Sequence, residues 1–128
     1  MAVAKALGAA RVIAIDILPS RLEFAKNYVA TDSFLPPAPD PNEDKMEYSK
    51  RCADAMMKEF GLQERGGANT VDVAVDASGA EPSIQTALHV VKAGGTFVQV
   101  RPTNFAVLSV KSRLRTSSVW EPRTYRYP

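Results

Sequence analysis

Apolar side chains are concentrated in short runs that alternate with segments of helical periodicity. The runs predict strands at residues 11–16, 71–76 and 95–100. Between them, apolar positions recur every three or four residues, which predicts helices at residues 19–29, 43–60 and 83–91. Strands that alternate with helices pair in parallel through right-handed crossovers. The pattern therefore predicts an α/β protein with a parallel sheet.

The segments between the first and second strands carry three further signals. Ser33-Phe34-Leu35 is a candidate short strand, and the proline-rich residues 36–41 that follow predict an extended, exposed spacer. The next helix has an apolar face that we predict to consist of Met46, Ala53, Met57 and Phe60. Later in the chain, Gly94 and Gly95 predict a turn that leads into the last strand.

Asp16 ends the first apolar run and is the most informative residue in the chain. In a dinucleotide-binding fold, an acid at this place binds the ribose hydroxyls, and a glycine-rich phosphate turn lies about 20 residues before it. Counting back from Asp16 passes Met1, and residues 2–8 are typical of the end of the helix that such a turn begins. We therefore expect an incomplete Rossmann-like parallel sheet, in which the first strand and the glycine-rich turn are missing. In the doubly wound strand order this leaves a gap between the strands at 11–16 and 71–76.

Charge is distributed unevenly along the chain. Residues 1–100 carry 10 basic and 13 acidic side chains, a net charge of −3, whereas residues 101–128 carry six basic and one acidic, a net charge of +5. We predict a domain at 1–100 and a divergent basic tail at 101–128. A solvated tail is favoured over a surface for nucleic acid or an anionic membrane, because no nucleic-acid-binding motif accompanies the charge.

Single copies of the metal-binding residue types argue against a metal site. Cys52 is the only cysteine, so the chain can form neither an internal disulfide nor a cysteine-based zinc site. His89 is the only histidine, lies on a predicted helix and has no visible partner for catalysis. The N-terminus lacks the pattern of a secretion signal, and no apolar run is long enough to span a membrane. We expect a cytoplasmic protein without bound zinc.

Three strings stand in a fixed order along the chain. They are Ala4-Lys5-Ala6-Leu7-Gly8-Ala9-Ala10-Arg11-Val12-Ile13-Ala14-Ile15-Asp16, Asp76-Ala77-Ser78-Gly79-Ala80-Glu81, and Gly94-Gly95-Thr96-Phe97-Val98-Gln99-Val100. As an ordered set they resemble the cofactor domain of the zinc-containing medium-chain alcohol dehydrogenases. Within that family the chain is similar to the sorbitol/xylitol (polyol) dehydrogenase branch, and its proline-rich insertion is similar to that of the fungal polyol enzymes. The resemblance covers residues 2–100.

The resemblance implies hydride transfer between a polyol and NAD, assisted by zinc, in homo-oligomeric enzymes whose catalytic domain wraps around a Rossmann domain. By position, it makes Asp16 the acid that holds the adenosine ribose and favours NAD over NADP, and it places Arg21 near the adenine. The remaining cofactor-binding residues that it implies are Ser78, Gly79, Val100 and Arg126. Arg126 belongs to Tyr125-Arg126-Tyr127, which resembles a Phe-Arg-Tyr cofactor contact of the family.

Two departures from the family limit the expected activity. The positions that hold zinc and the phosphate-binding glycines have no counterpart here, so we assign no catalytic residue and expect weak NAD binding and negligible activity. Two alternatives remain at this stage. One is a methyltransferase-like nucleotide-binding module, whose second strand also ends in an acid, and the other is a non-catalytic binding fragment with a basic tail.

Overall fold

The structure is a computed structural model that describes residues 1–64 and 68–100. Within these residues, helices and strands alternate along the chain. The helices are α1 (Ala2–Ala6), α2 (Pro19–Tyr28), α3 (Lys45–Phe60) and α4 (Glu81–Val90). The strands are β1 (Ile13–Ile15), β2 (Asp32–Phe34), β3 (Val71–Asp76) and β4 (Val91–Gln99). The predicted α/β class is confirmed, including the short strand before the proline-rich segment.

The four described strands form two parallel two-stranded sheets instead of one continuous sheet. β1 pairs with β2, with Ile15 opposite Phe34, and β3 pairs with β4, with Asp76 opposite Gln99. Among the described residues, no ladder of hydrogen bonds joins β1 to β3. The two strands on either side of the predicted gap are therefore not paired with each other.

α2 follows β1 after a short turn and covers one side of the first sheet. Pro19 lies in the first turn of α2, where the absence of its N–H leaves no helical hydrogen bond unmade. The buried side chains of Leu22 and Ala25 pack with Ala14 of β1 in a small apolar cluster. This packing fixes the carboxyl end of β1 relative to the first turn of α2.

α3 is the longest helix, and both of its ends are determined by local chemistry. The Asp44 carboxylate accepts hydrogen bonds from the N–H groups of Met46 at 2.7 Å and Glu47 at 2.9 Å, which caps the first turn. Gly61 ends the helix in the left-handed conformation, with φ of 62°. Its buried face consists of Ser49, Cys52, Ala53 and Met56.

The predicted apolar face of α3 was wrong in part. Ala53 is buried, but Met46 is 52% exposed, and the fully buried methionine is Met56 instead of Met57. The buried stripe includes the polar Ser49, whose hydroxyl donates to the Lys45 carbonyl oxygen at 2.5 Å. An internal hydrogen bond allows a serine to face the core, and apolar periodicity alone does not detect this.

The main core lies between α3, the end of α4 and strands of both sheets. Its buried members are Phe34, Ala53, Met56 and Val90. Ile13 of β1 and Val71 of β3 pack against the same cluster, so both sheets rest on α3 at their amino ends. The rings of Phe34 and Phe60 meet edge to face, with centroids 6.2 Å apart, a favourable aromatic geometry.

Arg11 connects the two sheets at their amino ends. Its Nε and Nη2 atoms donate to the Asp32 carboxylate at 2.8 and 3.1 Å, and Nη1 donates to the Asn69 Oδ1 at 3.0 Å and the Phe60 carbonyl oxygen at 3.3 Å. Its guanidinium also lies 5.2 Å from the centroid of the Phe60 ring. Arg11 therefore joins the start of β1 to β2, to the end of α3 and to the segment before β3.

β4 begins four residues earlier than the sequence predicted. The expected turn at Gly94 and Gly95 lies inside the strand, where the ladder is irregular: Val71 pairs with Val91, but Val73 pairs with Thr96. A Cβ on Gly95 would lie 2.9 Å from the Asp72 carbonyl oxygen. The glycine is required by this close approach of two backbones within the sheet. From the sequence alone, a glycine at such a contact cannot be distinguished from a glycine in a turn.

One face of the second sheet is apolar and exposed. Val73 and Val75 of β3 share this face with Val98 of β4, and Val75 lies directly opposite Val98 in the ladder. Val75 is 61% exposed, and Val100 beyond the end of β4 is exposed as well. Parallel sheets normally carry cover on both faces, so this surface is an unusual feature of the described chain.

Candidate functional site

Asp16 lies one residue beyond the carboxyl end of β1, at the edge where open α/β sheets bind ligands. Its Oδ1 accepts a hydrogen bond from the Leu18 N–H at 2.9 Å, which fixes the turn into α2. Its Oδ2 lies 3.6 Å from Arg21 Nη1, and 27% of the side chain is exposed. One carboxylate oxygen is thus held by the backbone, while the other can accept hydrogen bonds from the hydroxyl groups of a ligand.

Arg21 extends from the first turn of α2 toward Asp16. Its side chain is 69% exposed, and an exposed ion pair of this kind contributes only about 0–1 kcal/mol to stability. The pairing therefore holds Arg21 near the carboxylate without locking it there. A ligand at this edge meets a negative and a positive group side by side.

Exposed apolar side chains flank Asp16. The parallel register pairs Ile15 with Phe34, which places Asp16 beside Leu35 one step further along. Leu35, Ile17 and Leu18 are all exposed. Apolar surface beside a few well-placed polar groups is the usual composition of a small-molecule site.

The proline-rich segment at 36–41 leaves this same edge of the sheet and is anchored to α3. It has no regular secondary structure, as predicted. Tyr48 Oη donates to the Pro37 carbonyl oxygen at 3.0 Å, and Arg51 Nη2 donates to the Ala38 carbonyl oxygen at 3.0 Å. The segment is therefore a strap held by side chains of α3, which restrains the chain that follows β2.

The carboxyl end of β3 forms a second polar cluster around Asp76, which is only 3% exposed. Its Oδ1 accepts from Ser78 Oγ at 2.7 Å, from Ser83 Oγ at 2.9 Å and from the Ser78 N–H at 3.3 Å. Its Oδ2 accepts from the Gly79 N–H at 2.9 Å. Gly79 has φ of 67°, a conformation that glycine adopts without strain. The carboxylate thus organises the turn between β3 and α4.

The hydrogen bonds keep Asp76 ionised in spite of its burial. Burial by itself raises the pKa of a carboxyl group, but donation from Ser78, Gly79 and Ser83 outweighs this effect, and the pKa of Asp76 lies below its usual value. The backbone of Asp76 is also engaged, because the Val100 N–H donates to its carbonyl oxygen at 2.8 Å.

The structure arranges the predicted cofactor-binding residues in two groups. Asp16 and Arg21 form one group at the end of β1, and Ser78, Gly79 and Val100 form the other around Asp76. Within residues 1–64 and 68–100, no hydrogen bond or ion pair links the two groups. The remaining predicted contact, Arg126, lies outside the described residues.

Asp76 is the residue that the sequence reasoning missed. The sequence identified it as the end of a strand and assigned the ligand contacts to Ser78 and Gly79. A signal was nevertheless available, because an Asp followed two residues later by Ser and then by Gly is typical of a turn in which the carboxylate bonds its own backbone. The bond to Ser83 in α4 was not visible without the structure.

The described residues do not fit a zinc site. Among residues 1–64 and 68–100, no three His, Cys, Asp or Glu side chains are grouped so that they could hold a metal ion. Cys52 is buried in the core face of α3, whereas His89 is exposed on α4. Within the same residues, no helix combines the length and apolar character needed to cross a bilayer.

Comparison with known proteins identifies the family. The profile of the family described as "Zinc-binding dehydrogenase" matches residues 1–114. The chain is 46% identical over 98 residues to the D-xylulose reductase A of Aspergillus niger. It is 47% identical over 98 residues to the proteins named "Probable D-xylulose reductase A" in Aspergillus fumigatus and Emericella nidulans. Each match covers 77% of this chain and 24% of the relative, so the chain spans about a quarter of the length of these curated relatives. The predicted resemblance is confirmed, and the chain belongs to the zinc-binding dehydrogenase family.

Proposed function

We propose that this chain is the cofactor-binding part of an NAD-dependent dehydrogenase that interconverts a ketose and its polyol; D-xylulose, which the names of its relatives give, is a ketose. The observation that carries the proposal is Asp16, a partly exposed carboxylate at the carboxyl end of β1 with one oxygen available to a ligand. In this proposal residues 1–100 form the cofactor domain and 101–128 a basic tail. The polyol, the catalytic residues and the assembly belong to the whole protein.

Asp16 binds the adenosine ribose in this proposal. A carboxylate is an acceptor only, so two neighbouring hydroxyl groups are its natural partners. The bond from the Leu18 N–H holds Oδ1 at 2.9 Å and sets the direction in which Oδ2 points. The exposed side chains of Ile17 and Leu35 on either side supply apolar surface for the adenine ring.

Asp16 also accounts for a preference for NAD over NADP. The 2′-phosphate of NADP would lie beside the Asp16 carboxylate, and two neighbouring negative groups repel each other. Arg21 offsets only part of this repulsion, because its guanidinium is largely exposed and screened by solvent.

Bound NAD supplies the hydride acceptor, and the described residues bind and orient it. The family description implies zinc, but the described side chains do not form a zinc site, so we derive no step through the metal from this chain.

The proposal is tested by nuclear magnetic resonance on the whole ¹⁵N-labelled chain, titrated with AMP, NAD and NADP to millimolar concentrations. AMP and NAD are expected to shift the Leu18 amide resonance, and NADP is expected to bind more weakly. Asp16→Asn keeps an oxygen for the Leu18 N–H but removes the charge. This variant is expected to weaken NAD binding about tenfold, the usual cost of a charge-assisted hydrogen bond, and to reduce the preference over NADP.

Asp54→Asn is the matched control, because Asp54 is an exposed acid on α3 and the substitution changes the net charge equally. It is expected to bind both cofactors like the unmodified chain. A Leu18 amide that does not respond to AMP or NAD would contradict the proposal, as would an Asp16→Asn chain that binds both cofactors normally.

A further inference from the structure

The covalent structure of the strap at residues 36–41 restricts its backbone to extended conformations. Every residue from Leu35 to Pro41 either is a proline or directly precedes one. The proline ring fixes φ at about −65°, and a residue before proline is kept out of the helical region. Both restrictions favour the polyproline II conformation, a left-handed helix with three residues per turn. The strap therefore needs no hydrogen bonds within itself to stay extended.

A repeat of three residues divides the side chains of such a segment into three columns. Leu35 and Ala38 belong to one column, and both residues are exposed. Pro36 and Pro39 belong to the next column, and Pro39 is exposed as well. Two pairs of an apolar residue followed by proline, Leu35-Pro36 and Ala38-Pro39, thus occupy the same two columns one turn apart.

The third column, Pro37 and Asp40, is the one that α3 holds. Tyr48 Oη donates to the Pro37 carbonyl oxygen at 3.0 Å, and the Asp40 carboxylate lies 3.8 Å from Arg51 Nη2. The same Arg51 atom donates to the Ala38 carbonyl oxygen at 3.0 Å. α3 therefore holds the strap by two backbone carbonyl groups and by its third column, and it leaves the other two columns accessible.

This surface has the form of a polyproline ligand. Grooves lined with aromatic side chains bind segments with two prolines three residues apart, and a helix that is already formed loses little entropy on binding. We propose that the strap is a docking site for a protein domain with such an aromatic-lined groove, and that Leu35-Pro36 and Ala38-Pro39 are the pairs that enter the groove. The inference does not rest on the proposed cofactor role, with which it shares only Leu35.

The charge beside the two pairs narrows the partner further. The strap contains no basic residue, and Asp40 directly follows Pro39 with 74% of its side chain exposed. Arg51 neutralises this charge only in part, because its guanidinium pairs more closely with Glu43, at 2.6 Å. An acidic groove rim would be repelled at this end of the strap. The partner's groove therefore has a basic or uncharged rim where it receives Pro39.

The test uses the whole ¹⁵N-labelled chain without nucleotide. The probes are an SH3, a WW and an EVH1 domain, which represent three classes that bind polyproline segments; each has a basic or uncharged rim and is added separately. The reporters are the Leu35, Ala38 and Asp40 amides, because proline has no N–H. At least one domain is expected to shift these resonances. Pro39→Ala is expected to weaken that binding about tenfold, the usual loss when an anchoring side chain is truncated.

Pro19→Ala is the matched control, because Pro19 is an exposed proline in the first turn of α2, outside the strap. It is expected to bind the domain like the unmodified chain. Ala38→Asp is a second variant, in case Pro39→Ala lowers stability. It places a charge in one of the two pairs, and it is expected to weaken binding at least as much as Pro39→Ala does.

Three outcomes would overturn the inference. The first is that none of the three domains shifts the strap amides, and the second is that a domain binds but shifts only resonances outside residues 34–41. The third is that Pro39→Ala and Ala38→Asp bind as well as Pro19→Ala does. A strap that serves only as a spacer would give the first of these results.

Discussion

Replacing Arg11 with alanine should uncouple the two sheets at their amino ends. Arg11 forms a forked ion pair with Asp32, donates to Phe60 and Asn69, and lies against the Phe60 ring. These partners come from β2, from the end of α3 and from the segment before β3. No other side chain described within residues 1–64 and 68–100 bonds all three regions.

The size of the effect follows from the geometry and the exposure of the group. The Arg11 side chain is 36% exposed, so solvent screens the ion pair and its contribution lies in the range of about 0.2–1 kcal/mol. The hydrogen bonds to Phe60 and Asn69 add about 1 kcal/mol at this exposure, and the contact with the ring adds about 0.5 kcal/mol. Arg11→Ala is therefore expected to lower the free energy of unfolding by about 2 kcal/mol, or the midpoint temperature by roughly 10 °C.

The assay is urea unfolding followed by far-ultraviolet circular dichroism, with Arg11→Lys and Arg51→Ala beside the alanine variant. Lysine keeps the charge but cannot reach three partners with a planar fork, so its effect should be intermediate. Arg51 is the matched control, since its side chain is also 36% exposed and ion-paired, but its contacts tie Glu43 and the strap to α3 and do not join the sheets. Arg51→Ala should therefore lower the free energy of unfolding by less than Arg11→Ala does. A chain with Arg11→Ala as stable as the original, or Arg51→Ala equally destabilising, would refute this reasoning.

Three further predictions concern pH, the exposed face and the strap. The pKa of Asp76 is lowered in the folded chain, so its contribution to stability is present above the unfolded pKa of about 3.9 and is lost as the pH falls through the folded pKa. In urea unfolding, Asp76→Asn should lower the free energy of unfolding at pH 7 and lower it much less at acid pH. An equal loss of stability at both pH values would contradict this direction of the pH dependence. The chain should self-associate through the exposed face formed by Val73, Val75 and Val98. Light scattering should therefore report less aggregation for Val75→Lys and no reduction for Val3→Lys on α1. A monomer that unfolds cooperatively with a free energy of unfolding of about 5–15 kcal/mol would show the expectation to be wrong. Burial and a hydrogen bond with Cys52 raise the pKa of Tyr48 to about 12. An ultraviolet titration should therefore show a tyrosine that ionises near that pH and is absent in Tyr48→Phe. Ionisation of Tyr48 near the ordinary tyrosine pKa of about 10 would contradict its burial.

The sequence alone determined the class of fold, the order of the elements and the family. Periodicity suffices for this, because the spacing of apolar residues records whether a segment turns every 3.6 residues or alternates. It also placed Asp16 at the end of a strand, because a charged side chain that directly follows a buried apolar run lies where the strand leaves the core. The ordered strings around Asp16 and after Asp76 then identified the family, which the comparisons confirm.

The tertiary structure decided which groups meet. Periodicity indicates which side of a strand is buried but not which strand lies beside it, so the division into two sheets and the exposed face at Val75 follow only from the pairing. For the same reason the sequence did not predict that Arg11 joins the two sheets, because its partners lie 21 to 58 residues away in the chain. It also hid how Asp76 joins its turn to α4 and to Val100. A hydrogen bond depends on the distance and direction between two atoms, and for residues far apart in the chain only the folded backbone sets both.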